Sequence, residues 1–185
     1  MNTNNGNEND LDAAKANFDL VMGWVGHADS KATFYLTVSL AILGASLTEV
    51  PTLVRVCNHF WAGSPWWVSL LIGLHLIFYG AALYSAYKAV EVVKPRLVPD
   101  SNTHSWYFFQ SIATFDDVQK WRDFTGGLDD SSKFQHLVDQ IWNVSRVAVN
   151  KYRVAGQADC GLRVATCAGI LAVATTLVTA ELMGQ

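Results

Sequence analysis

Residues 32–48, 66–87 and 164–180 carry no charged side chain, although the chain has 29 Lys, Arg, Asp and Glu among its 185 residues. A charge at the centre of a bilayer costs roughly 2.5–3.5 kcal/mol even on the mildest scale, so keeping charge out of these windows predicts lipid around them. A helix needs about 20 apolar residues to cross the hydrocarbon, with about 17 as the lower limit. The middle window meets this on its own. The outer two are short, and the helical periodicity that precedes Lys31 and Arg163 predicts that flanking helix lengthens each of them.

Between the windows the pattern stays helical. Leu11, Ala14, Phe18, Val21, Met22, Val25, Ala28 and Ala32 recur every three or four residues, which predicts an amphipathic helix over 11–31 with Asp10 as its cap, feeding straight into the first span. Gly23 and Gly26 are where a bend would cost least. Glu49 and Pro51 are expected to end the first span. Phe134, Leu137, Ile141, Val144, Ala148, Tyr152 and Ala155 trace a stripe of a long helix that starts behind the capping residues 129–132 and continues into the third span. Nothing alternates at period two for long enough to make a sheet. The expected fold is therefore an all-α membrane protein with three transmembrane helices and a helical cytoplasmic region.

Charge orients it. Ten of the 13 Lys and Arg lie in 88–163, Lys15 and Lys31 precede the first span, and only Arg55 falls between the first and second. Positive residues stay cytoplasmic, which predicts an N-in, C-out topology, with 49–65 an outside loop, 88–163 a cytoplasmic helical region and 181–185 an outside tail. Residues 1–10 are Asn-rich and acidic without a basic n-region, so they are expected to be a disordered tail and not a cleaved signal. Trp61, Trp66 and Trp67 at one boundary and Tyr84 and Tyr87 at the other fit interfacial aromatic belts. Residues 105–124 are dense in aromatics, which predicts short helices packed on something apolar.

Chemistry is sparse. There is no glycine-rich phosphate loop, no pair of carboxylates inside an apolar stretch and no Cys/His spacing for a metal, so neither an enzyme nor a metal or cofactor site is expected. A net charge of −3 gives no footprint for a nucleic-acid polymer. Cys57, Cys160 and Cys167 are expected to be small apolar fillers. His75 is the one ionisable side chain inside a span, read either as a neutral imidazole bonded to a neighbouring helix or as part of a polar pathway. The four-residue ladder Gly161, Ala165, Gly169 permits close helix approach in lipid, whether within one subunit or between copies. Three helices enclose no channel, so a pore would need several copies, with Thr37, Ser69, His75, Thr175 and Thr176 as its available lining. Near the inner face, Lys31, Arg146, Lys151, Tyr152 and Arg153 are the candidate ligand residues. Their alternative is snorkelling at the membrane boundary.

The stretch Trp24 to Leu36, WVGHADSKATFYL, together with Asp139 to Gln157, DQIWNVSRVAVNKYRVAGQ, and the aromatic run SWYFF at 105–109, resembles the small transmembrane effectors of Pycsar antiphage systems. The matching positions are Asp29, Lys31, Asp139, Lys151 and Tyr152. The resemblance implies a homo-oligomeric effector that impairs membrane integrity when a cyclic pyrimidine nucleotide, cyclic UMP or cyclic CMP, is made by a partner cyclase. Its partners would then be the lipid bilayer, other copies of itself and that nucleotide. The rival reading is a membrane-anchored scaffold that recruits a cytoplasmic partner through the aromatic face of 105–124 and conducts nothing.

Overall fold

The computed structural model describes residues 4–61, 66–94 and 115–184. Every element among them is helical: α1 Asn4–Ser46, a 3₁₀ turn Leu47–Glu49, α2 Val50–Trp61, α3 Trp66–Val93, α4 Val118–Gly126 and α5 Asp130–Gly184. Three helical runs, Asp10–His59, Trp66–Val93 and Asp130–Glu181, are long and apolar enough to cross a membrane. At ~1.5 Å per residue α3 alone is about 42 Å long, more than the ~30 Å hydrocarbon requires.

Two compact units organise these elements. The bundle unit comprises residues 29–94 and 153–185, and the polar unit comprises 1–28 and 95–152. Both α1 and α5 contribute to each, so the element bounds and the unit bounds do not coincide.

In the bundle unit the facing positions are small. Ala32, Ala89, Val92, Val154, Ala155 and Ala158 make one buried cluster, with Tyr35 and Leu36 packed against it. Phe78, Ala82, Ala165 and Ala168 make a second, against Ile42, Leu43, Leu74 and Tyr79. The large apolar side chains turn outward instead, among them Phe34, Leu70, Leu76, Ile77, Leu83, Ile170 and Leu177. Only 11%, 28% and 33% of the most apolar windows of the three runs is buried. In water that exposure would be ruinous; in lipid it needs no cover, because acyl chains are as apolar as Leu.

In the polar unit the first half of α1 lies along the first half of α5. Ala14, Val21, Leu137 and Ala148 are buried. An open cleft of about 390 Å³ is lined by Asp10, Ala13, Ala14 and Asn17 on α1 and by Phe134, Val138 and Ile141 on α5. Asp117 caps α4, its carboxylate accepting from the Gln119 N–H at 3.2 Å. At the other end of α4 the Gly127 N–H donates to the Asp123 carbonyl at 3.2 Å. Asp129 caps α5 in the same way, accepting from the Ser132 N–H at 2.9 Å, so the long helix begins where the capping residues predict.

Three expectations change. Helix α1 starts at Asn4, ahead of the expected cap at Asp10, and runs unbroken through Gly23 and Gly26. Once a helix is nucleated, each upstream residue adds a bond without a new nucleus, which lets a polar stretch join it. The expected loop 49–65 holds α2, whose apolar residues Val50, Leu53, Val54, Val56 and Cys57 share one side while Arg55, Asn58 and His59 share the other. Pro51 does not break it, because proline in a first helical turn lacks only an N–H that would be unpaired there. Cys160 and Cys167 are exposed rather than core fillers, and Cys57 is half-buried. The aromatic run 105–109 lies outside the described residues.

Candidate functional site

The bundle unit is held by hydrogen bonds as well as by small-residue packing. The Ser39 hydroxyl donates to Ser85 Oγ at 3.1 Å, and the Ser85 hydroxyl donates to the Ala158 carbonyl at 2.8 Å. One relay therefore ties α1, α3 and α5 together. Both serines are fully buried, and a hydroxyl stranded in such a place would have no water to turn to. Nearer one end, the Tyr79 hydroxyl donates to the Ser46 carbonyl at 3.3 Å, at the point where α1 gives way to the 3₁₀ turn.

The small-residue ladder lies on this packed face. A Cβ placed on Gly161 would sit 3.2 Å from the Ser85 backbone N and 3.0 Å from a Tyr84 ring carbon, and one on Gly169 would meet the Phe78 ring at 2.7 Å. Ala165 is fully buried in the same seam. Gly161, Ala165 and Gly169 thus let α5 approach α3 inside one chain.

The hydroxyl and imidazole groups proposed as a pore lining divide into two sets. His75 and Thr176 are buried, whereas Thr37, Ser69 and Thr175 lie on the outside of the bundle. His75 Nδ1 lies 2.9 Å from the Leu71 carbonyl oxygen of its own helix, not of a neighbour. A carbonyl can only accept, so Nδ1 is the donor of this pair. Thr37, Thr175 and Thr176 each donate to a carbonyl of their own helix, to Thr33 at 2.9 Å, Leu171 at 2.8 Å and Ala172 at 2.8 Å. Such back-bonding satisfies a hydroxyl wherever it points, lipid included.

An open apolar groove of about 680 Å³ lies between α1 and α5, lined by Ile42, Ala45, Phe78, Ile170, Val173 and Leu177, with Glu49 at its edge. At the opposite end of α3, Lys88 pairs with Glu91 at 2.8 Å and lies 5.9 Å and 5.5 Å from the ring centroids of Tyr84 and Tyr87. A cation flanked by two exposed tyrosines is the group set that interfacial anchors use. Arg163 pairs with Asp159 one helical turn away at 2.8 Å.

The candidate ligand residues do not share one face. Lys31, Arg146 and Arg153 are exposed, and Asp29 is half-buried. Tyr152 is 37% exposed, while Lys151 is buried. Along α5, Asp139, Arg146 and Arg153 recur every seven residues and keep to one side of the helix, whereas Lys151 falls on the packed side with Leu137, Gln140 and Ala148. The predicted stripe drifts because 3.6 residues per turn does not divide seven, so that by the end of the polar unit Lys151 has rotated inward in place of Tyr152.

Two buried polar groups in the polar unit were not foreseen. Gln140 is buried, and the Trp121 indole N–H is buried without an acceptor among the described residues. Buried polar groups are ordinarily paired, so an orphaned indole N–H is a position where an added acceptor would be favourable. In the same unit the Phe115 and Phe124 rings lie tilted with centroids 5.5 Å apart, and Phe124 meets His136 edge-on at 6.4 Å. No group of three or more His, Cys, Asp and Glu placed to hold a metal occurs among the described residues.

No curated protein and no solved structure matches the chain. A family model does. The Pycsar effector protein domain matches residues 13–182, which takes in part or all of every helix described above. With three membrane-length apolar helices, a bundle that turns its large apolar side chains outward and a family match over nearly its whole length, this chain is a membrane protein that belongs to the Pycsar effector family.

Proposed function

We propose that this chain is an antiphage effector of the bacterial inner membrane, which assembles as a homo-oligomer and breaches the membrane when cyclic UMP or cyclic CMP engages its polar unit. The single observation that carries the reading is the Pycsar effector match over 13–182. Consistent with it, the bundle unit places lipid-compatible surface outward and the polar unit holds buried Lys151, Gln140 and Trp121 Nε1. In this reading buried Lys151 and exposed Arg146 are the cations of the polar unit that meet the cyclic phosphate, and Tyr152 or Trp121 is the aromatic that meets the base. The distribution of Lys and Arg favours an N-in, C-out insertion, which puts the polar unit in the cytoplasm where the nucleotide is made.

Three spans per chain enclose no channel, so conduction requires several copies. The nucleotide acts by binding the conducting arrangement more tightly than the resting one; equal affinity for both would shift nothing. The chain carries no expectation of catalysis in this scheme. It is the responder to a cyclase and not itself the source of a product.

The test is dye release from liposomes holding the purified chain, with cyclic UMP, cyclic CMP and cyclic AMP added in turn. Release with either cyclic pyrimidine and not with cyclic AMP is expected. Release that ignores all three overturns the trigger, and no release under any condition overturns the membrane activity. The scaffold reading is less favoured, because Phe115, Trp121 and Phe124 are half-buried within the polar unit instead of presented outward.

A further inference from the structure

The groove between α1 and α5 is open to the lipid, for Ile170 and Leu177 on its lining are 65% and 53% exposed. Along α5 that lining runs from Thr166 to Leu177, about 16 Å at ~1.5 Å per residue, or roughly half of the ~30 Å hydrocarbon. This is the depth of one leaflet. The volume of about 680 Å³ lies within the ~300–1,000 Å³ of ordinary small-molecule sites. Water finds too few partners along such an apolar wall, whereas an acyl chain enters sideways from the bilayer.

One polar group on this lining is unspent. The hydroxyls of Ser46, Thr48 and Thr166 donate to carbonyls three or four residues back, at 2.8, 2.7 and 2.9 Å. Glu49 is half-buried, and its carboxylate makes no hydrogen bond or ion pair among the described residues. Val173, Ala174 and Leu177, which line the groove with it, belong to the charge-free window 164–180, so the carboxylate stands beside the third span and not beyond its end. A carboxylate at that depth calls for a cation. Lys88 and Arg163, towards the other end of the bundle, are paired with Glu91 and Asp159. A second copy inserted the same way would bring only Arg55, six residues or about 9 Å farther along the helix. A lipid with an ammonium head group carries its cation directly above its own tail. We propose that the groove holds a tail of an aminophospholipid such as phosphatidylethanolamine, whose ammonium group donates to the Glu49 carboxylate. Ser39, Ser85 and Ala158 tie the three helices together nearer Lys88, and past Ile42 the lipid fills what helix packing leaves open. The site needs neither the nucleotide nor a particular copy number, so it stands or falls apart from the effector reading.

The test is native mass spectrometry of the detergent-purified full chain, titrated with phosphatidylethanolamine or with phosphatidylglycerol of the same acyl chains. Retention of about one phosphatidylethanolamine per chain is expected, with a preference over phosphatidylglycerol of about tenfold, the scale of one charge-assisted hydrogen bond. Glu49→Gln should bring that preference close to parity. Equal retention of the two lipids by the wild type, or a preference that survives Glu49→Gln, overturns the site. Ala174→Phe fills the groove from the α5 side and Ala45→Phe from the α1 side, and either should remove most of the bound lipid of both kinds. Ala174 and Ala45 are both exposed in the chain, so each variant should keep its helicity by circular dichroism, and one that does not leaves the other to decide. Leu171→Phe, exposed and off the groove, should leave retention unchanged. Undiminished lipid in a helical Ala174→Phe or Ala45→Phe protein overturns the site, as does a loss of oligomer mass without loss of lipid, which would make the groove a contact between copies.

Discussion

The bundle unit and the polar unit solve packing in opposite ways. In the bundle unit the interior is mostly Ala, Gly and Ser, with Val92, Val154 and Phe78 among them, and most of the bulky apolar residues are outside. In the polar unit the interior holds Val21, Leu137 and the buried polar groups Gln140 and Lys151, Phe115 and Phe124 lie half-buried against each other, and charge is outside. The difference follows from the solvent. Water expels apolar bulk, so a water-facing unit buries its large side chains. Lipid does not, so helices within it associate through close backbone approach and interhelical hydrogen bonds, for which small residues are the requirement.

The contrast breaks hardest at Gly161. Its Cβ position lies 3.2 Å from the Ser85 backbone, which cannot rotate away as a side chain can. Gly161→Leu should push α5 off α3, part Ser85 from the Ala158 carbonyl and destabilise the bundle by about 3 kcal/mol, the upper end of ordinary overpacking. Gly44→Leu is the control, since nothing lies within 4 Å of its Cβ position, and it should change stability by less than about 0.5 kcal/mol. Thermal unfolding in detergent reads both. Equal effects would mean that small residues are not what the bundle depends on.

The polar unit is tested at Lys151. If the nucleotide engages this unit, Lys151→Glu should shift the dose response for dye release by more than tenfold, the scale of a lost charge-assisted bond of about 1.5–3 kcal/mol. Arg146→Glu, on the exposed side, should shift it less. An unaltered dose response for both removes them from the site.

How far the sequence foretold these units differs between them. The charge-free windows located three spans because the penalty for a buried charge in lipid is large and local, and the capping residues at 129–132 located the start of α5 because a cap is a short-range device. The spacing of Gly161, Ala165 and Gly169 showed that some helix comes close. It did not show which one, since the same ladder serves a neighbour in the chain or in another copy. Helix α2 was hidden by Pro51, although its apolar side was already written in Val50, Leu53, Val54 and Cys57. The inward turn of Lys151 was not legible at all, because the face a helix buries is decided by the elements packed against it. Trp121 likewise read as one aromatic among many, and only burial singles out its N–H.

The Ser39–Ser85 relay sharpens the comparison at a smaller scale. Ser85→Ala removes a donor from the Ala158 carbonyl and an acceptor from Ser39, whereas Ser39→Ala removes a single bond. Membrane hydrogen bonds average about 0.6 kcal/mol, so Ser85→Ala should cost about 1 kcal/mol and Ser39→Ala about half that. Unfolding in detergent distinguishes them. The reverse order would place the stabilising contact elsewhere.

The smallest effect is expected at the start of α5, in the polar unit, and it depends on pH. Hydrogen bonds from Ser132, the side chain foremost and the backbone N–H next, hold the Asp129 carboxyl below the usual Asp range, with Lys133 adding to the same direction. A carboxylate whose folded value is lowered stabilises the folded state fully above the unfolded value, about 3.9 for Asp, and the gain is lost as pH falls through the lower folded value. Wild type should therefore protect the first-turn amides of α5 better than Asp129→Ala at neutral pH. The gap should begin to close as pH falls below about 3.9 and vanish beneath the folded value. Asp129 is exposed, so salt should narrow it only slightly if the cap bond dominates and substantially if the charge of Lys133 does. Hydrogen exchange across that pH range separates the two, and a gap that persists to the lowest pH would mean that the Asp129 carboxylate is not what caps the helix.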